Sequence, residues 1–192
     1  MENIKLKNKY YVLRHGEAVS NVKSINSSWP EKFRNSITKN GEKQVKKSLK
    51  KLKGHHIDFI FSSDLLRTKM TAGLASKLLK IEPKFDKRLR EISFGSLNGK
   101  SNGKTMEQLF HSELATKNHK IKKLETYQSI LKRVSSLLRE IEKKYKEKTI
   151  LIVSHQAPLW ILENKVKGLT LEESLKIPKK ERINKGELRK IN

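Results

Sequence analysis

Apolar and polar residues follow two rhythms along this chain. Tyr10 to Leu13 is a short apolar run that ends on a basic, glycine-containing turn, the pattern of a buried strand feeding a loop. Ile57 to Phe61 (IDFIF) and Thr149 to Val153 (TILIV) repeat it. Elsewhere the period lengthens. Thr38, with Glu42, opens a lysine-rich helix whose apolar stripe is Val45, Leu49 and Leu52 and which Gly54 stops. Ser63 or Asp64 is placed to cap a helix running through Leu66, Met70, Leu74 and Leu78. Pro83 interrupts, and the stretch that follows, RLREISFGSLNGKSNGKT, reads as a loop. A helix is expected from Thr105 to about Ala115, and a long one from Tyr127 to about Tyr145 with Ile130, Val134, Leu137, Leu138 and Ile141 on one face. Pro158 falls in the first turn of a helix after the third strand, where its missing N–H does little harm. GELRKI reads as an edge strand.

Strands alternating with helices predict an α/β fold, a three-layer α/β/α sandwich around a mostly parallel sheet. Ligands of such sheets bind beyond the carboxyl ends of the strands. The segments to inspect are therefore Arg14-His15-Gly16-Glu17, Ser62-Ser63-Asp64 and Ser154-His155-Gln156. Two of the six histidines, His15 and His155, directly follow buried strands, and one of them stands beside an arginine. His55, His56, His111 and His119 fall in lysine-rich stretches and read as solvated.

Composition narrows the chemistry. A chain of 192 residues is read as one domain, 1–192, large enough for its own core. The absence of cysteine excludes disulfides, thiolate zinc sites and a cysteine nucleophile. No apolar stretch approaches the length of a membrane span and no secretory signal is evident, so a cytoplasmic protein without membrane attachment is expected. Lys and Arg number 44 against 20 Asp and Glu, a net charge of +24. That field favours anionic partners. The lysines are nevertheless spread along the chain, so a solvated surface is the preferred reading and nucleic acid is not the expected partner.

Five segments, in order, resemble the histidine phosphatase superfamily, its phosphoglycerate mutase-like branch. They are LRHGEAVSN at 13–21, ITKNGEKQ at 37–44, FSSDLLRTKMTA at 61–72, RLREISFGSLNG at 88–99 and VSH at 153–155. The resemblance implies a phosphoglycerate mutase-like fold and a metal-independent, cofactor-free phosphatase acting on a small phosphorylated metabolite. His15 would attack phosphorus and be transiently phosphorylated. Arg14, Arg67 and His155 would surround the phosphoryl group, Asn21 would add a hydrogen bond, and Glu91 would protonate the leaving oxygen. Ser27 and Gln156 join these as candidate substrate contacts.

Elementary chemistry supports each role. The transition state of phosphoryl transfer spreads negative charge over equatorial oxygens, so catalysis is mainly positioning and positive charge. A planar guanidinium donates two parallel hydrogen bonds to phosphate. Imidazole attacks only through a deprotonated nitrogen, so its other nitrogen needs an acceptor, a part that a backbone carbonyl at Gly16 can fill. An alkoxide leaves badly without a nearby acid. Glu17 and Asp64 also lie near strand ends, but the position after the second histidine, where some branches place an aspartate, holds Gln156, which favours Glu91.

The chain departs from the family pattern in three places. Gln156 replaces the usual glycine, KKLETYQS stands where a glycine-rich acidic segment is common, and no arginine-bearing insertion of the mutases is recognisable. The last of these favours phosphatase over mutase; a mutase and a basic nucleic-acid-binding module that kept the fold are the alternatives. Gly99-Lys100-Ser101 and Gly103-Lys104-Thr105 resemble the end of a phosphate-binding P-loop. That motif needs an earlier glycine where Phe94 and Asn98 stand, and a buried strand leading in. The irregular segments 22–34 and 97–125 are expected to carry specificity; they leave the substrate and the oligomeric state open.

Overall fold

Five strands form one sheet: β1 (Lys9–Arg14), β2 (Phe59–Ser62), β3 (Pro83–Phe85), β4 (Thr149–Ser154) and β5 (Leu188–Lys190). Their order is β3-β2-β4-β1-β5. Pairings β2–β3, β2–β4 and β1–β4 are parallel, and β5 runs antiparallel to β1. The computed structural model describes residues 6–102 and 121–192. The helix expected over 105–115, the Gly103-Lys104-Thr105 segment, His111 and His119 lie outside the described residues.

Both faces of the sheet are covered, which the alternation along the strands demands. Tyr10 and Val12 of β1 and Ile150 and Ile152 of β4 pack on Leu137, Leu138 and Ile141 of α4 (Tyr127–Lys144) and on Leu159 and Leu162 of α5 (Gln156–Val166). Their neighbours Leu13, Leu151 and Val153 point the other way. They meet Val45 and Leu49 of α2 (Lys39–Leu49), and Ala72 and Ala75 of α3 (Leu66–Leu79). Each fully buried aliphatic side chain contributes roughly 1.5–3 kcal/mol, so a one-residue slip of β1 would forfeit both layers at once. Two short helices complete the architecture, α1 (Val19–Val22) and α6 (Leu171–Leu175).

The start of α2 is as expected: Thr38 Oγ1 accepts from Gly41 N at 3.0 Å. Two expectations are corrected. The stretch after Pro83 is not loop throughout; residues 83–85 form β3, an edge strand that tolerates proline as its first residue. Neither Ser63 nor Asp64 caps α3. Leu65 holds the cap position without a side-chain bond, and the carboxylate of Glu31 instead accepts from Leu66 N at 3.0 Å. Ser63 and Asp64 are engaged in the site described next.

Gly16 and Gly41 fix how α2 meets the loop after β1. A Cβ added to Gly16 would lie 2.3 Å from the Gly41 carbonyl oxygen, and one added to Gly41 would lie 2.1 Å from the Glu17 carbonyl oxygen. Backbone touches backbone here, and neither position has room for a side chain. Thr38 N donates to Glu17 O, Thr38 Oγ1 to Glu17 Oε1, and Glu17 N to Gln44 Oε1. The segment 38–44 is thus a clamp on the loop that carries His15.

Candidate active site

His15 and His155 leave the carboxyl ends of the adjacent parallel strands β1 and β4, and their ring centroids are 5.1 Å apart. Both are buried, at 3 % and 0 % exposure. His15 Nδ1 donates to the Gly16 carbonyl at 2.8 Å, and His15 Nε2 accepts from Arg67 Nε at 3.2 Å. Together these contacts select one tautomer: the proton sits on Nδ1 and the lone pair on Nε2. Burial, followed by the charges of Arg67 and Arg14, holds the His15 pKa well below its ordinary 6.5, against a smaller opposite effect of the Gly16 bond. This favours the neutral ring, with the lone pair on Nε2.

Arg67, 3 % exposed on the first turn of α3, is fixed from several sides. Nη2 donates to Ser27 O at 3.0 Å, Nη1 reaches Ser27 Oγ at 3.5 Å, and Glu31 Oε1 lies 3.7 Å from Nη1. Burial draws its pKa down to about 10, with Glu91 and Glu31 opposing. Arg14 Nη1 donates to Ile183 O at 2.9 Å, while its buried Nε has no hydrogen-bond partner. Burial also lowers the Arg14 pKa, against Glu91 and Glu187. Two guanidinium groups held near one neutral imidazole make a pocket electrostatically prepared for an anion.

His155 Nε2 and Ser63 Oγ are 2.9 Å apart, and His155 Nδ1 is buried without a partner. Burial, then Arg67, keeps its pKa well below 6.5 as well. Ser154 Oγ donates to Leu89 O, which ties the end of β4 to the segment leading to Glu91.

The three candidate carboxylates now separate. Asp64 makes a two-pronged pair with Arg90 at 2.7 and 2.5 Å, and that hydrogen bond, ahead of an opposing burial effect, lowers its pKa. Glu17 accepts from Thr38, whose hydroxyl lowers its pKa too. Both carboxylates are thus engaged by other side chains. Among the described residues Glu91 accepts from its neighbouring Ile92 N at 3.0 Å, and its charge acts on both Arg14 and Arg67.

The remaining candidates are less central. Asn21 Oδ1 accepts from Ala18 N at 2.9 Å, and Asn21 N donates to Ala18 O at the start of α1. Ser27 meets Arg67 and Asn35. Gln156 is half-buried at the first position of α5 and no contact ties it to the histidines. The two irregular segments are zipped together: Asn26 N donates to Lys100 O, Gly99 N to Asn26 O, and Asn102 N to Ser24 O. Glu31 and Gln44 are members of the site's framework that sequence reasoning did not single out, though Gln44 lies in a matched segment; Ser63 was marked as a strand-end residue and as a helix cap, not as a partner of His155. Among the described residues no helix is long and apolar enough to cross a membrane.

Comparison with known proteins agrees with this geometry. Residues 10–182 match the model of the histidine phosphatase superfamily (branch 1), and the chain belongs to that superfamily. Phosphoserine phosphatase 1 of Hydrogenobacter thermophilus is 28 % identical over 141 residues, 71 % of this chain and 67 % of that protein. A 2,3-bisphosphoglycerate-dependent phosphoglycerate mutase of Thermoplasma acidophilum is 29 % identical over 123 residues, 64 % of this chain and 60 % of that one. A mycobacterial glucosyl-3-phosphoglycerate phosphatase solved in complex with VO3 superposes with a TM-score of 0.79 at 18 % identity, covering 94 % of this chain and 90 % of that one. The fold is that of the phosphoglycerate mutase-like histidine phosphatases, and the protein is a phosphatase of this superfamily.

Proposed function

We propose that the protein hydrolyses a small phosphate monoester in two steps through a phosphohistidine on His15. One observation carries this reading: the buried His15 Nε2 has its lone pair free of a proton and faces Arg67, because Nδ1 is engaged by Gly16 O. In the first step Nε2 bonds to phosphorus as the P–O ester bond breaks, and Glu91 gives its proton to the departing alkoxide. Arg14, Arg67 and His155 surround the phosphoryl oxygens, and the Asn21 amide adds a donor. In the second step Glu91 takes a proton from water, whose oxygen bonds to phosphorus as the P–N bond breaks. Free phosphate leaves and the neutral imidazole returns. The reading needs no metal or cofactor. Its partner is a small phosphorylated metabolite, and the phosphoserine phosphatase relatives make phosphoserine the first substrate to try.

The experiment is hydrolysis of p-nitrophenyl phosphate in EDTA, paired with trapping of a labelled phosphoenzyme by an alkaline detergent quench. Wild type should turn over and carry an acid-labile, base-stable label that His15→Ala lacks. Equal turnover by the two proteins would exclude the mechanism. The mutase-named relative supports a second reading, transfer to another hydroxyl instead of to water; release of inorganic phosphate in step with alcohol separates the two.

A further inference from the structure

The apolar stripe of α3 does not face the core. Leu66, Met70, Leu74 and Leu78 recur along one side of this helix, the pattern of a buried face. The helix instead buries Arg67, Thr68, Thr71, Ala72 and Ala75. Arg67 has to enter the active site, and the small residues beside it pack on the sheet, so the stripe is rotated outward. Met70 and Leu78 are 38 % and 57 % exposed, and Leu66 and Leu74 are half-buried. Toward α2 the stripe borders a solvent-open hollow of about 1080 Å³. Its apolar lining is all leucine: Leu74, Leu78 and Leu79 of α3, with Leu49 and Leu52 from the end of α2 and the turn that follows. Lysines 46, 50, 53 and 77 also line it. Glu42 is the one carboxylate in the lining, and it is taken by Lys46 at 2.5 Å. Lys50, Lys53 and Lys77 form no ion pair among the described residues.

A concave apolar surface with a charged border marks an interaction site, and the sign of the border selects the occupant. A second copy of this chain would set the same lysines against one another, on molecules that each carry +24. A membrane surface would meet the lysines first and leave the leucines of the hollow uncovered. An acidic amphipathic helix satisfies both parts. Its apolar side chains, three and four residues apart, fill the space over Leu74 and Leu78, and its carboxylates reach Lys50, Lys53 and Lys77.

We infer that the groove between α2 and α3 docks an acidic amphipathic helix of another protein. The probe is a fluorescein-labelled synthetic helix with leucines along one face and glutamates elsewhere, followed by fluorescence anisotropy with the full chain at about 0.15 M salt. Two control peptides replace its glutamates by lysine or its leucines by serine. Wild type should bind the acidic leucine peptide at least about 10-fold more tightly than either control, a comparison that needs no variant to fold. Leu78→Asp should weaken that binding about 10-fold or more. Lys50→Glu combined with Lys77→Glu should do the same and shift the preference toward the lysine peptide. Lys132→Glu combined with Lys143→Glu, the same change of charge at exposed positions of α4, should stay within about 2-fold of wild type. Equal binding of the leucine and serine peptides, or equal weakening by the two lysine pairs, reduces the effect to net charge and overturns the inference. Failure of the acidic leucine peptide to bind overturns it as well. Adhesion to phosphatidylglycerol vesicles that Leu78→Asp abolishes would then assign the groove to a lipid surface, and a sedimenting dimer that the same variant dissolves would assign it to a second copy.

Discussion

The loop after β1 and the loop after β4 are two versions of one design. Each follows a buried parallel strand, each begins with a histidine shielded from solvent, and in each burial pushes the imidazole toward neutrality. They differ in which ring nitrogen is engaged. His15 has Nδ1 bonded to the backbone of its own turn and Nε2 directed at Arg67. His155 has Nε2 against the Ser63 hydroxyl and Nδ1 without a partner. Burial is common to both rings; what sets His15 apart is a fixed tautomer, and it comes from a carbonyl one residue away in a loop where Gly16 and Gly41 pack backbone to backbone.

The sharpest way to break the comparison is to delete each ring. His15→Ala should lower kcat by about 10⁴-fold or more and abolish the phosphoenzyme, whereas His155→Ala should cost about 10²–10³-fold and still label. Labelling of the His15 variant, or its loss in both, would refute the asymmetry. Next in size is the brace. Gly41→Ala has no space for its methyl group, and should destabilise the fold by about 1–3 kcal/mol in urea titration. Its activity should fall further than its stability requires, because the displaced backbone carries Glu17 and His15. An unchanged urea midpoint would show that the contact yields.

Acid should act on both loops together. Each folded-state histidine pKa is lowered from 6.5, so below that pH the unfolded chain binds protons that the native chain refuses. Stability is then fully present above 6.5 and declines as pH falls below it, by about 1.4 kcal/mol per pH unit for each histidine. Urea midpoints at pH 7.5, 6.5 and 5.5 should show this, with His155→Asn giving roughly half the slope. A flat profile from 6.5 to 5.5 contradicts it. The smallest effect should come from Ser63→Ala, which removes the one bond that orients His155 and should cost about 3- to 10-fold in kcat/KM while leaving phosphoenzyme formation intact. An unaltered kcat/KM would show that His155 needs no such partner.

The asymmetry was only half visible in the sequence. Both histidines could be placed at strand ends because VLR and LIVS are apolar runs that stop abruptly, and the possible role of a Gly16 carbonyl followed from imidazole chemistry. Arg67 could be singled out through the segment it belongs to. Ser63 could not be joined to His155, because their contact spans 92 residues and nothing local encodes it. Likewise, the resemblance and Gln156 favoured Glu91 among three carboxylates near strand ends, but the partners of the other two were not legible: Arg90 takes Asp64 and Thr38 takes Glu17. β3 escaped notice because its residues Pro83, Lys84 and Phe85 have neither alternation nor burial. Ser63 and Asp64 resembled helix caps for the reason that makes them useful elsewhere, since short polar side chains serve a turn and a site equally well.

The position of β1 in the sheet has a consequence for how the enzyme comes into being. One of its two neighbours, β5, spans 188–190, far along the chain from β1, and the carbonyl of His15 itself accepts from Gly186 N. Tyr10 N is likewise bonded to the side chain of Asn192. A chain emerging from the ribosome therefore carries His15 long before it has the strand that holds it. Contacts of such long sequence separation form late and slowly. Catalytic competence should appear as one of the last events of folding, and phosphate release timed against burial of the sheet would reveal that order.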